Sequence, residues 1–212
     1  KNSVESGDPG IFNVSLTNKK TNVSYFEDLQ ATNPCGEIPL PSYGNCCLGH
    51  VNLANMVDSN GDVDYKRIAR TVRVGVRFLD NVLTVNTFPI PECREVGHRS
   101  RRIGLGVTGL HYLLIKAGYR YGSNKSLLFI EDLFRRIRDE AYKASVNLAK
   151  EKGAFPAFDA NLYLKEDFAK SLPTRIKTNI RKFGIRNAVM LTVAPVGTMS
   201  MVAGVSTGIE PI

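Results

Sequence analysis

Apolar residues recur at helical spacing in several stretches of the chain. Between residues 64 and 83, Ile68, Val72, Val76, Leu79 and Leu83 line one face of a helix. Arg67, Arg70, Arg73 and Arg77 fall largely off that stripe and read as a solvated face. Residues 108–117 predict a second helix, ended by Gly118. The clearest pattern covers 124–152, where Leu127, Ile130, Phe134, Ile137, Ala141, Ala144 and Leu148 alternate three and four apart before Gly153. A shorter helix over 173–183 has Pro173 near its start and Gly184 after it. Residues 187–194, from Asn187 through Val189, Met190 and Leu191 to Ala194, make an unbroken run of strand length. Such a run suits a strand covered on both faces.

The polar stretches punctuate these elements. Residues 1–32 carry turn signals at Gly7-Asp8-Pro9-Gly10 and at Asn18-Lys19-Lys20, with room between them for short strands. Residues 33–45 hold Pro34, Pro39, Pro41, Gly36 and Gly44, a density that neither a helix nor a central strand tolerates, so a shaped loop is expected. Residues 46–57 are apolar and are expected to be buried. The segment from Pro195 to Gly208 is rich in Gly, Ser and Thr and reads as a loop. Strands alternating with helices predict an α/β fold with a parallel sheet or barrel.

Composition narrows the function classes. With 212 residues, 43% of them hydrophobic, the chain can bury one sizeable core without a second domain. No apolar run can span a bilayer and residues 1–30 hold no signal-peptide core, so a cytoplasmic protein with no membrane partner is expected. The net charge of +8 favours an anionic partner, but it is spread over helix faces. No nucleic-acid motif accompanies it, so no nucleic-acid partner is expected. The chain starts at Lys1 and stops at Ile212 just after Glu210-Pro211; both ends read as cut, with missing sequence expected on each side.

Gly104, Gly106 and Gly109 match the G-x-G-x-x-G spacing of a dinucleotide-binding turn. Residues 99–103 are not a long apolar strand, and Glu131 and Asp132 fall inside a predicted helix, where neither can reach a ribose. The glycines are better read as allowing close packing where a short strand turns into the 108–117 helix.

The four cysteines are Cys35, Cys46, Cys47 and Cys93, and three of them fall within thirteen residues. That is no disulfide scaffold; clustering of this kind points to metal binding or redox chemistry. Cys35 stands between Asn33 and Glu37. In a locally extended segment these alternate residues face one site, while Pro34 and Gly36 shape the turn. A carboxylate beside a thiol disfavours the thiolate, because like charges repel. The arrangement therefore suits a neutral thiol reacting by hydrogen-atom transfer, with the carboxylate as base for a substrate hydroxyl. A buried structural cysteine is the alternative. Cys35, Cys46, Cys47 and His50 also supply four zinc-type ligands, but without the Cys-x-x-Cys spacing of structural sites, and no metal is expected. His98 and His111 stand alone.

Five ordered segments carry a resemblance: Asn33 to Leu40, Tyr43 to Leu53, Phe78 to Leu83, Arg101 to Gly109, and Thr192 to Ser200 with Gly208 to Pro211. Together they resemble the large, catalytic subunit of ribonucleotide reductases over residues 30–212. The resemblance implies that 1–212 is an incomplete catalytic barrel domain, part of a ten-stranded α/β barrel. Its finger loop would be 33–45 and its phosphate loop 195–208. It implies reduction of ribonucleotides to deoxyribonucleotides, with Cys35 as the thiyl radical that removes the 3′ hydrogen. Glu37 would be the base for the 3′-hydroxyl, and Asn33 the amide on the substrate. Cys46 would be one member of the reducing disulfide pair, its partner lying in earlier strands. Cys47 reads as packing, and Cys93 has no expected catalytic role.

Pro195, Val196, Gly197, Thr198, Met199 and Ser200 would hold the substrate phosphates, through backbone N–H groups, hydroxyls and a nearby helix start. Val196 stands where the family usually has Thr, which removes one hydroxyl contact. The wording around Gly44 to His50 and Gly109 to Leu114 is most similar to the adenosylcobalamin-dependent class. The alternative radical source is a separate metal-containing subunit. The implied partners are the ribonucleotide, the missing N- and C-terminal parts, a thioredoxin-like or other dithiol reductant, and a second copy in a homodimer. The competing reading is a truncated, inactive chain that at most binds nucleotides.

Overall fold

The computed structural model describes residues 1–8 and 10–212. The Gly7–Gly10 turn signal includes Pro9 and so lies partly outside the described residues. The chain opens with helices α1 (Asn2–Ser6) and α2 (Val14–Lys20), the latter capped by the Asn13 side chain on the Leu16 amide. Of the short strands expected over residues 1–32, one forms at Ala31–Thr32, while α1 and α2 take up much of the rest, because a side-chain cap and helix-tolerant residues outweigh the turn signals.

Strands β1 (Ala31–Thr32) and β2 (Pro39–Leu40) pair antiparallel, Ala31 with Leu40 and Thr32 with Pro39. The proline-rich loop is thus the tip of a small hairpin. Pro39 is tolerated because it starts an edge strand. Next come β3 (Leu48–Asn52) and a single 3-10 turn (Leu53–Asn55). Helix α3 (Tyr65–Val85) follows, capped by Asp64 on the Arg67 amide, and buries Ile68, Val72, Val76, Leu79 and Leu83 as its stripe predicts. Helix α4 (Pro91–Ser100), not foreseen from the apolar pattern, begins with Pro91 at its first turn. Its sequence is too polar for a helical stripe to show, since only Gly97 and Ser100 are buried.

β4 (Gly104–Thr108) is buried at every position and pairs in parallel with β3, from Leu48–Gly104 to Asn52–Thr108. The glycines of the G-x-G-x-x-G match lie within this strand and just after it. A Cβ on Gly104 would meet Leu48 at 2.5 Å, and one on Gly106 would meet His50 at 2.9 Å. They serve close packing between neighbouring strands. Then follow α5 (Leu110–Lys116), α6 (Asn124–Lys152, between Ser123 and Gly153), the single turns α7 (Ala160–Tyr163) and α8 (Asp167–Lys170), and α9 (Thr174–Phe183).

The run 187–194 is not a regular strand. It touches β4 through one parallel bridge, Leu105 with Leu191. Ile103 and Leu105 donate to the carbonyls of Val189 and Met190, successive residues, so the ladder loses its two-residue step. The loop expected over 195–208 contains a short helix, α10 (Gly197–Ala203). The 46–57 stretch is only partly buried: Val51, Leu53, Ala54 and Met56 are in the core, while Cys46 is exposed.

The fold is α/β, with α3 packed on α6 and across β3 and β4. The core between them holds Val72, Val76, Leu113, Leu114 and Leu133, all at 0% exposure, each contributing about 1.5–3 kcal/mol of hydrophobic stabilisation. Among the described residues the sheets are two-stranded and do not close into a barrel. No helix among them is long and apolar enough to cross a membrane.

Candidate functional site

The hairpin tip is held by Asn33. Its backbone N–H donates to the Ile38 carbonyl at 3.2 Å, and its side-chain oxygen accepts from the Ile38 amide at 3.0 Å. Its Nδ2 donates to Glu37 Oε2 at 2.6 Å. Gly36 adopts a φ of 84°, which L-residues rarely adopt, and donates to the Asn33 carbonyl. The segment is therefore a turn rather than extended. Asn33 and Glu37 meet through that turn instead of through strand alternation, and Cys35 stands exposed at the tip. The hairpin is tied to the 187–194 segment by Thr192, whose hydroxyl donates to the Glu37 carbonyl at 3.3 Å.

Cys46 shares this neighbourhood. Burial pushes its thiol pKa up, the Glu37 carboxylate and Cys35 add to the rise, and Arg102 opposes it. These influences together disfavour the thiolate. The Sγ of Cys47, the next residue, lies 3.6 Å from the Leu79 carbonyl of α3. Its pKa is raised by burial and by Asp80, against Arg101. His50 on β3 is half-buried beside the hairpin. Burial lowers its pKa, Glu37 raises it, and its Nε2 has no hydrogen-bond partner among the described residues.

The 195–200 segment turns sharply. Val196 sits at a φ of 59°, a left-handed conformation that strains a β-branched residue, and α10 starts directly after it with no side-chain cap. Pro195, Gly197, Thr198, Met199 and Ser200 surround that helix start. Ser200 is buried, and its hydroxyl donates to the Gly197 carbonyl at 2.7 Å. The loop is anchored to the end of β4: Thr108 Oγ1 and the Gly109 amide both donate to the Ser206 carbonyl, each at 2.9 Å.

Behind the site lies a buried polar hub that the sequence reading missed. Asp80 on α3 is 0% exposed. It accepts from Arg101 Nε at 2.7 Å and from Asn187 Nδ2 at 3.1 Å, with Arg186 at 3.3 Å and Lys152 at 3.5 Å. Burial alone would raise its pKa, but the Arg101 hydrogen bond and charge, helped by Arg186 and Asn187, hold it below the ordinary carboxylate value. Asn187 also exchanges hydrogen bonds with Ser145 of α6. A second buried pair, Arg102 to Glu27 at 2.6 Å, stands beside the hairpin. A lone Asp inside an apolar stripe, followed by paired arginines 21 residues later, was the available signal for the hub.

The structure thus gathers Asn33, Cys35, Glu37 and Cys46 around one hairpin, with Thr192 linking it to the strand segment that leads into 195–200. It adds His50 and Arg102 to the neighbourhood. Cys93 lies on α4, away from the hairpin.

Residues 1–212 match the family described as ribonucleotide reductase, barrel domain. The chain is 42% identical over 206 residues to a vitamin B12-dependent ribonucleoside-diphosphate reductase of Mycobacterium tuberculosis, covering 97% of this chain and 27% of that protein. It is 38% identical over 208 residues to the protein of the same description from Thermoplasma acidophilum, covering 98% and 25% respectively. To the alpha subunit of a ribonucleoside-diphosphate reductase from Treponema pallidum it is 36% identical over 168 residues, 76% of this chain and 20% of the relative. It spans about a quarter of the length of the first two of these relatives. With the match running from the first residue to the last, the chain belongs to the ribonucleotide reductase barrel-domain family.

Proposed function

We propose that this chain carries the radical-bearing face of a ribonucleotide reductase, which replaces the 2′-hydroxyl of a ribonucleoside diphosphate by hydrogen. The observation that carries this reading is the closed Asn33–Glu37 hairpin, which presents Cys35 at its tip with Cys46 alongside. Cys35, as a thiyl radical, takes the 3′ hydrogen of the ribose. Glu37 accepts the 3′-hydroxyl proton, and Asn33 orients Glu37 and hydrogen-bonds the substrate. The 2′-hydroxyl leaves as water, and a cysteine pair that includes Cys46 supplies two electrons and becomes a disulfide. The raised pKa of Cys46 supports this role, since a protonated thiol has a hydrogen to give. Pro195 to Ser200 receive the phosphates at the start of α10.

β3, β4 and the segment bridged at Leu191 would be three neighbouring parallel strands of a ten-stranded barrel. The rest of the enzyme would supply the other strands, the partner cysteine, a dimer contact and access for a thioredoxin-like or other dithiol reductant. Adenosylcobalamin is the radical source favoured by the names of the relatives from Mycobacterium and Thermoplasma. The residues described here do not fit a corrin ring on their own. Cys35 is exposed, and the cavity of about 830 Å³ behind the hairpin is lined by Pro39 and Arg102 but not by Cys35.

The test is turnover of ribonucleoside diphosphates by the full-length protein with a dithiol, with and without adenosylcobalamin, beside its Cys35→Ser variant. Cofactor-dependent turnover that disappears in Cys35→Ser is expected, because an O–H bond is much harder to break homolytically than S–H. Turnover by Cys35→Ser overturns the assignment. Nucleotide binding without turnover, under this or a metal-subunit radical source, favours the binding-only reading.

A further inference from the structure

One cavity lies where residues 45–48 meet the second half of α3 and the start of α4. It measures about 460 Å³ and is lined by Cys46, Cys47 and Cys93 together with apolar side chains that include Phe78, Leu83 and Phe88. Helix α4 is pressed against residues 45–47 there. Asn45 Nδ2 donates to the Cys93 carbonyl at 3.2 Å, and a Cβ on Gly97 would come within 2.8 Å of that same nitrogen. The missing side chain of Gly97 is what admits the contact.

All three cysteines line this space, and the Cys47 sulfur lies on its α3 wall, against the Leu79 carbonyl. Adjacent residues of an extended segment face opposite sides. Cys46 feels Glu37, Cys35 and Arg102 on the hairpin side, whereas the Cys47 sulfur lies against the Leu79 carbonyl on the α3 side, with Asp80 and Arg101 as its charged neighbours. Cys93 sits in the first turn of α4 and lines the same cavity as Cys47. We propose that Cys47 and Cys93 form a second thiol pair, separate from the substrate-side thiols, that closes into a disulfide on exposure to a peroxide.

The chemistry balances in two steps. The Cys93 thiol takes one oxygen from hydrogen peroxide, giving a sulfenic acid and water. The Cys47 thiol then attacks that sulfur, forming the S–S bond and releasing a second water. The peroxide is reduced, and the two thiols lose two electrons and two protons. Once closed, the bond fixes residues 45–47 to α4 and restrains Cys46 through the peptide bond it shares with Cys47. Nothing in this chemistry depends on nucleotide reduction.

The experiment uses the full-length protein and its Cys35→Ser/Cys46→Ser form, which within residues 1–212 retains only Cys47 and Cys93. Each is treated with one equivalent of hydrogen peroxide, blocked with N-ethylmaleimide, digested without reductant and mapped by mass spectrometry. A Cys47–Cys93 linked peptide should dominate in both. Dibromobimane, which fluoresces when it bridges two nearby thiols, should label the same pair and lose that signal in Cys93→Ser and in Cys93→Ala. A dominant Cys46–Cys47 or Cys46–Cys93 link overturns the proposal. So does full alkylation of Cys47 and Cys93 after oxidation. Because the readout is a peptide map, it can fail while the reductase reading stands, and the reverse.

Discussion

Asp80 is fully buried and is met by Arg101, Asn187, Arg186 and Lys152, whereas Glu37 is partly exposed and receives one side-chain hydrogen bond, from Asn33. Both are carboxylates within one small domain, yet they are put to opposite uses. At Asp80 the charge is neutralised and every nearby element is tied down: α3, the entry to β4, the end of α6 and the start of the 187–194 segment. At Glu37 the second oxygen is left for something else. The pairing teaches that a saturated carboxylate serves the scaffold, while one left open, as Glu37 is, suits the base proposed above. A carboxylate already holding several partners has no lone pair to offer a substrate proton.

The sharpest way to break this contrast is at Cys35. In the full-length enzyme Cys35→Ser should remove detectable turnover and leave the unfolding midpoint unchanged, measured by product formation and by denaturant titration of the same sample. A large stability loss would place Cys35 with the scaffold. Glu37→Gln comes next. Its side-chain oxygen can still accept from Asn33, so the hairpin should persist, while turnover should fall about 10²–10⁴-fold through loss of the base. Wild-type turnover in that variant would end the proposed role.

Asp80→Ala probes the other side. Removing the one carboxylate leaves Arg101 and Arg186 buried without their partner and should cost about 3–5 kcal/mol in chemical denaturation. The same hub predicts a pH signature. The folded pKa of Asp80 is depressed, so its stabilisation is fully present above the unfolded value of about 3.9 and is lost as pH falls through the lower folded value. Asp80→Asn should lack that acid-limb component, and unfolding curves at stepped pH would reveal it. The smallest effect expected is at His50. Its imidazole should titrate below the ordinary 6.5 by NMR, and Glu37→Gln should lower it further by removing the carboxylate that raises it. An unchanged His50 in that variant would place Glu37 too far away to share a site with it.

Much of the helical framework could be read directly. The helices read over 64–83 and 124–152 form, Gly153 ends the second, and the stripe from Ile68 to Leu83 buries as a face. Helix α4 could not be read, because its packing depends on Gly97 and Ser100 rather than on an apolar stripe. The 187–194 run misled for a related reason. Periodicity reports burial, and Asn187, Ala188, Met190 and Ala194 are buried, but Val193 is exposed, and a regular strand also needs a regular ladder, whose step Val189 and Met190 break. At the site, the local motif named Asn33, Cys35 and Glu37, but alternation described their arrangement wrongly. Gly36 and the Asn33 contacts make a turn, which only three-dimensional hydrogen bonding reveals. Asp80, Arg101 and Asn187 come from three distant stretches, and no local pattern links them.

The opposed directions of Cys46 and Cys47 carry a consequence for how such a chain can change. Cys47 already belongs to the ladder, since its carbonyl accepts from the Gly104 amide at 2.9 Å. Side chains there alternate with a period of two, so sliding the segment by a single residue exchanges the two faces. An in-frame loss or gain of one codon between Gly44 and Cys46 would leave the thiol count untouched. It would nevertheless hand the hairpin side to the other sulfur. The spacing from Cys35 is in that sense a phase rather than a distance, and insertions of even length should be far better tolerated than odd ones.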